Sequence, residues 1–186
     1  MSSVLQASGC HLIDADQVAR LVQQPGQAAY LKIVAAFGAT VLSSDGTINR
    51  TVLGSMVFGK SDSTKWALQQ LNSIMHPAIA SECLRQLVYH GLLRGQCIVY
   101  DAALMAESGT WMVCWPQVLN IHARPEVQVA RLMQRSSLTE TEAKARVAVQ
   151  APPEHRQRVA NKSIDNSAGS IEELQHKAMQ AVASWY

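Results

Sequence analysis

The sequence has little net charge: 16 Lys and Arg stand against 14 Asp and Glu, for +2 with neutral His. A balance so near zero makes no case for nucleic acid or an anionic membrane, and the basic residues form no single run. Cysteines at metal or redox spacing are also missing. Cys10, Cys83, Cys97 and Cys114 lie far apart with no CxxC among them, which argues against zinc and thioredoxin-like centres. The six histidines show no metal-ligand spacing, and no Ser-His-Asp order suggests a hydrolase. No run approaches about 20 apolar residues, so no membrane span is expected. Residues 2–9 lack the basic start and long apolar stretch of a signal peptide. A cytoplasmic protein with reduced thiols is the plain expectation.

What is present is enough for one domain. The chain has 186 residues, 48% of them hydrophobic, which allows a real core. Three short apolar runs read as buried strands: residues 11–13, 97–100 and 118–121. Between them, Val18, Leu21 and Val22 share one helical face, as do Leu68, Leu71, Ile74 and Met75. Cys83, Leu84, Leu87 and Val88 form a third stripe. Two capping boxes open late helices, Thr139 with Glu142 and Ser170 with Glu173; the first helix should end before Pro152. Strands alternating with helices predict an α/β fold with a parallel sheet. Hinge-like stretches are expected at 43–46 and 151–154.

Residues 54–61 read GSMVFGKS and satisfy GxxxxGK[ST]. In a true phosphate loop, backbone N–H groups would cradle phosphates, Lys60 would reach the β and γ groups, and Ser61 would hold magnesium. Such a loop needs a strand before it. Instead Ile48, Val52, Leu53, Met56 and Val57 mark a helical face that runs through the motif. The competing expectation is a helix ending near Phe58 with Gly59 as a left-handed cap.

A wider set of residues resembles the dephospho-CoA kinase family. It begins with Ile13-Asp14-Ala15-Asp16, Ala19-Arg20 and Pro25-Gly26. Phe37-Gly38, Asp45-Gly46, Arg50, Leu53, Val57 and Phe58 continue it, and His76-Pro77-x-Ile79 resembles the family's HPxI signature. Leu104, Glu107 and Ser108 fall where the family has PLLFES; Gln128, Arg131 and Arg135 resemble its QxxRxxxR stretch. Arg146, Gln150, Ile164, Asp165 and Asn166 match its lid and closing IDN element. The resemblance covers the chain from about residue 10 onward. No one motif is specific, but the ordered combination is.

The resemblance implies a P-loop, nucleoside-monophosphate-kinase-like fold: a parallel sheet flanked by helices, lacking the usual first strand and P-loop. It implies one domain over 1–186, with a helical substrate-binding insert at about 45–95 and a lid at about 136–160. The family uses ATP and Mg²⁺ to phosphorylate the ribose 3′-hydroxyl of dephospho-CoA. Several positions depart from its pattern: Gly54, Ala103, Ala106, Ser136-Ser137 for an Asp-Gly, Ala160-Asn161 for an Ala-Asp, and Ala168. Two readings follow: a dephospho-CoA kinase of coenzyme A synthesis, inactive or truncated as written, or a non-catalytic paralogue that binds a partner or a CoA-like ligand. A protein partner or second copy is expected to cover an exposed sheet edge.

Residue roles follow from the same resemblance. Asp14, at a strand end, is the expected acid–base residue, or else it caps the next helix. For Asp16 capping is favoured, with Arg20 as its i,i+4 partner. His76 contacts dephospho-CoA or simply ends a helix before Pro77. Arg131, Arg135 and Arg146 fit a lid closing on phosphates, Arg135 foremost, or are solvated helix charges. Glu107 positions substrate or metal-bound water, or answers a helix dipole. Asp101 resembles a Walker B carboxylate, and Asn166 contacts adenine or holds its own turn. Arg156 and Arg158 are expected at the surface. Lys60 and Ser61 enter the cofactor site only if the internal motif is real. No metal ligands are assigned.

Overall fold

The computed structural model describes residues 2–59, 61–102, 117–148 and 153–185. The chain divides into two compact units, residues 6–102 and the C-terminal part with residues 3–5. Each is a mixed α/β unit in which two parallel strands are flanked by helices.

In the first unit, strand β1 (His11–Asp14) runs parallel to β2 (Ile98–Asp101), with His11 opposite Ile98 and Asp14 opposite Asp101. Parallel neighbours require a long crossover. Here it is helical: α1 (Ser2–Ala7) precedes β1, and the crossover holds α2 (Ala15–Leu21), α3 (Ala28–Phe37), α4 (Arg50–Val57) and α5 (Asp62–Gln86). Each start has a sequence cause. Asn49 accepts hydrogen bonds from the Thr51 and Val52 N–H groups at the head of α4, and Ser61 accepts one from Thr64 N–H at the head of α5. Helix α5 packs against α2, α3 and α4. Ile13, Ile33, Val41 and Val57 are the fully buried side chains of this core. Each such residue stabilises the fold by roughly 1.5–3 kcal/mol relative to exposure.

Several sequence expectations are corrected here. Pro77 does not break the helix, because α5 continues through it to Gln86. Proline removes one N–H, but the carbonyl that loses it belongs to exposed Ser73, where water can replace the bond. The stretch 43–46 is a closed turn, not a hinge. Ser43 N–H donates to the Thr47 carbonyl at 2.8 Å, and the Tyr30 hydroxyl donates to the Gly46 carbonyl at 2.7 Å. Gly46 makes that turn at φ +79°. The stripe at 83–88 is only partly inward: Cys83 is buried, while Leu84 is 59% and Val88 41% exposed. A π-helical stretch, Leu87–Leu93, follows α5 and turns Leu87 and Val88 out of the α-helical register of Cys83 and Leu84.

In the second unit, β3 (Leu119–His122) runs parallel to β4 (Lys162–Asp165), pairing Leu119 with Lys162 and His122 with Asp165. Helices α6 (Pro125–Ser136), α7 (Glu140–Ala148), α8 (Pro153–Val159) and α9 (Ile171–Ala183) surround the pair. Strand β4 escapes the sequence pattern because Lys-Ser-Ile-Asp carries one apolar residue; pairing with β3 makes it a strand. Both capping boxes form. Glu142 accepts from the Thr139 N–H at 2.9 Å while Glu142 N–H donates to Thr139 Oγ1, and Ser170 accepts from Glu173 N–H. Lys162 crosses to the end of α9, donating to the Ala181 carbonyl and to Ser184, with its ammonium over the Trp185 ring. A cation there answers the helix dipole. Arg156, expected at the surface, is half-buried. The expected hinge at 151–154 lies partly outside the described residues.

Candidate functional site

The two parallel strands of the first unit end together at Asp14 and Asp101. This carboxyl end is where open α/β sheets build ligand sites. Asp14 also caps α2. Its Oδ1 accepts from Asp16 N–H at 2.9 Å and Gln17 N–H at 3.0 Å, and its Oδ2 accepts from Gln17 Nε2 at 2.9 Å. A carboxylate offers about four lone-pair sites, so one acceptor position on Oδ2 is left for a ligand. Capping therefore falls to Asp14, not to Asp16 as expected. A cap sits outside the first helical residue, and α2 begins at Ala15, one residue too early for Asp16.

Asp16 instead lines a cleft of about 360 Å³ with Arg20, Gln23, Arg50, Phe58 and apolar α4 and α5 residues. No ion pair joins Asp16 to Arg20 among the described residues, so both side chains face the cleft. Phe58 is 71% exposed beside it, held outward because the chain leaves α4 there in an extended conformation. The cleft thus combines two guanidinium groups with an apolar wall. Arg50 and Arg20 carry no mark of a site in the sequence beyond their family positions. Their convergence comes from α2 and α4 both packing on α5. His76 is exposed on α5 outside the cleft lining.

Residues 54–61 do not form a phosphate cradle. Gly54 to Val57 are the last turn of α4, so their N–H groups point along the helix. Gly59 is not left-handed, because Phe58 in an extended conformation already ends the helix. The Ser61 hydroxyl is engaged with Thr64 N–H, Ser63 and Thr64. Lys60 lies outside the described residues. ATP with Mg²⁺ goes with kinase-family membership, yet this motif does not fit the phosphates.

In the second unit, Arg131 and Arg135 lie one turn apart on α6 and line a groove of about 580 Å³ with Gln128, Leu132 and Gln134. Gln128 is fixed by donating to the Ala123 carbonyl at 2.6 Å. Arg146 sits on α7, outside that groove, one turn from Glu142. The Thr139 backbone N–H, more than Arg146, holds the Glu142 carboxyl below its usual range. Helix α6 ends at Ser137 with φ 50°, a left-handed conformation that favours glycine. Asn161, standing for the family's Asp, accepts from Val118 N–H at 2.7 Å and so joins the starts of β3 and β4. Asn166 donates its N–H to the His122 carbonyl at 2.7 Å. The neighbouring Asp165 carboxyl is held low mainly by the Ser167 hydroxyl and N–H. Glu107, with Leu104 and Ser108, lies outside the described residues, as does Gln150.

No helix among the described residues is long and apolar enough to cross a membrane. A model of the dephospho-CoA kinase family matches residues 1–172. The dephospho-CoA kinase of Geobacillus kaustophilus is 35% identical over 189 residues, spanning 100% of this chain and 89% of that protein. A dephospho-CoA kinase domain-containing protein of Danio rerio is 36% identical, spanning 97% of this chain and 76% of that one. The structure of the Campylobacter jejuni dephospho-CoA kinase superposes with a TM-score of 0.69 at 25% identity, over 97% of this chain and 87% of that one. Strand-end aspartates, a cationic cleft and paired arginines on one helix thus lie within a chain that belongs to the dephospho-CoA kinase family of coenzyme A biosynthesis.

Proposed function

We propose that this chain binds dephospho-CoA in the cleft between α2, α4 and α5 and presents its ribose 3′-hydroxyl to Asp14. The observation that carries this is the pairing of Arg20 and Arg50 with an apolar wall and exposed Phe58 in one cleft. Guanidinium forks suit the ligand's pyrophosphate, and apolar surface suits its pantetheine arm. Asp14 accepts the hydroxyl's hydrogen bond on its remaining Oδ2 site and takes its proton; Asp101 stands opposite it across the strand pair. Arg131, Arg135 and Arg146, on the helices of the second unit, are suited to binding phosphate, with Arg135 nearest the turn at Ser137. His76 and Glu107 add substrate contacts, and Asn166 an adenine contact. ATP supplies the phosphoryl group in the family reaction. A cytoplasmic setting goes with this reading.

A second reading is a non-catalytic family member that keeps the ligand site and acts through a CoA-like ligand or a protein partner. It is favoured by the helical course of Gly54 to Val57, which removes the internal phosphate-loop motif from use. Calorimetry with dephospho-CoA and ATP added separately tests both. Dephospho-CoA should bind, and Arg50→Ala should weaken it about tenfold or more. Failure of the unaltered chain to bind dephospho-CoA overturns the first proposal. ATP binding and phosphoryl transfer, abolished by Asp14→Asn with dephospho-CoA affinity kept, overturns the second.

A further inference from the structure

Two cysteines that sequence spacing sets far apart are neighbours in the fold. His11 lies opposite Ile98 in the β1–β2 pair, so Cys10 lies opposite Cys97, one residue earlier on each strand. The register is tied at this point, because His11 N–H donates to the Cys97 carbonyl at 2.8 Å. Opposite residues of neighbouring strands project to the same face, and strands lie about 4.8 Å apart. That spacing falls inside the roughly 4.4–6.8 Å between Cα atoms that a disulfide accepts. The two thiols already share a hydrogen bond. Both cysteines are half-buried and reduced.

We propose that Cys10 and Cys97 are a redox pair that closes a reversible cross-strand disulfide when the protein meets a small-molecule disulfide. The exchange balances in two steps. The Cys97 thiolate attacks the oxidant's S–S bond, forming a mixed disulfide and releasing one thiolate, which takes up the proton Cys97 gave up. Cys10 then loses its proton and attacks the Cys97 sulfur, closing the protein disulfide and releasing the second small thiol. The protein loses two electrons and two protons, and the oxidant becomes two thiols. Burial first, and the Cys97 hydrogen bond second, push the Cys10 thiol up to about 11, which disfavours Cys10 as the first attacking thiolate. Cys10 resolves the mixed disulfide despite this, since its attack is intramolecular. The bridge fixes the starts of the two strands whose other ends carry Asp14 and Asp101.

The test treats the full chain with excess glutathione disulfide and maps its peptides without reduction. The expected result is one linked peptide joining Cys10 to Cys97, loss of two of the four thiols, and a Tm raised by about 5–10 °C. Cys10→Ser should accumulate glutathione on Cys97 with no gain in Tm. Cys97→Ser should leave Cys10 largely unmodified. Reduction should restore all thiols. A chain whose Cys10 and Cys97 stay free, carry separate glutathione groups, or link instead to Cys83 or Cys114 overturns the proposal.

Discussion

The two units bury different kinds of residue. Residues 6–102 close around Ile13, Val18, Ile33, Val41, Leu53 and Val57, whereas the described residues of the other unit bury Leu5, Ala143, Ile164 and Ala178. Large aliphatic side chains remove more apolar area from water than alanine does, so among the described residues the first unit holds most of the hydrophobic stabilisation. The second unit leans on caps, exposed ion pairs such as Lys144 with Glu140, and the Lys162 contacts to α9. Exposed pairs add little. The first unit thus carries the strand-end aspartates on the larger buried side chains, while the second carries the arginines of α6 and α7 on fewer, and elements with less burial open at lower free energy.

The largest test of this contrast is core truncation. Ile33→Ala should cost about 4 kcal/mol and Ile164→Ala about 2 kcal/mol in urea unfolding. Equal costs would erase the distinction. Next, Thr139→Ala removes half of the capping box and should destabilise by about 1 kcal/mol, read as faster amide exchange confined to α7. Faster exchange throughout residues 6–102 would break the separation instead. Ser137→Gly should stabilise by about 0.5–1 kcal/mol, because a left-handed conformation strains serine but not glycine. No gain in midpoint would mean the strain is relieved elsewhere.

The smallest effect emerges only at alkaline pH. Burial, with Cys83 beside it, pushes the Tyr100 hydroxyl up to about 12. The neutral phenol is favoured in the folded state. Its contribution is therefore complete below the ordinary value near 10 and is lost as pH rises through about 12. Ultraviolet titration of Tyr100→Phe should remove the late-ionising tyrosine and flatten the loss of stability at high pH. An unchanged alkaline profile would show that the first unit is no tighter around β2 than the second is around β3.

Much of this could be read from residues in line. The three apolar runs are strands to within one residue, because short aliphatic runs between polar breaks have few other uses. The capping boxes at Thr139 and Ser170 form because their partners are three residues away. Pro77, Gly59 and β4 went otherwise, and each depends on something distant. The carbonyl that Pro77 leaves without its N–H belongs to exposed Ser73, the extended Phe58 takes over from Gly59, and Leu119 to His122 make a strand of Lys162 to Asp165. At the site, Asp14 is legible as a strand end that acts as acid–base residue or cap, while the sequence favours Asp16, two residues on, for capping.

By itself the sequence determined the α/β class, the family pattern and the local helix starts, all of which depend on side chains a few residues apart. Only the tertiary structure decided that Arg20 and Arg50 share a cleft, that Asp14 stands opposite Asp101, and that Cys10 meets Cys97. Those encounters join residues tens of positions apart. Their distances are set by strand register and helix packing, which no local pattern encodes.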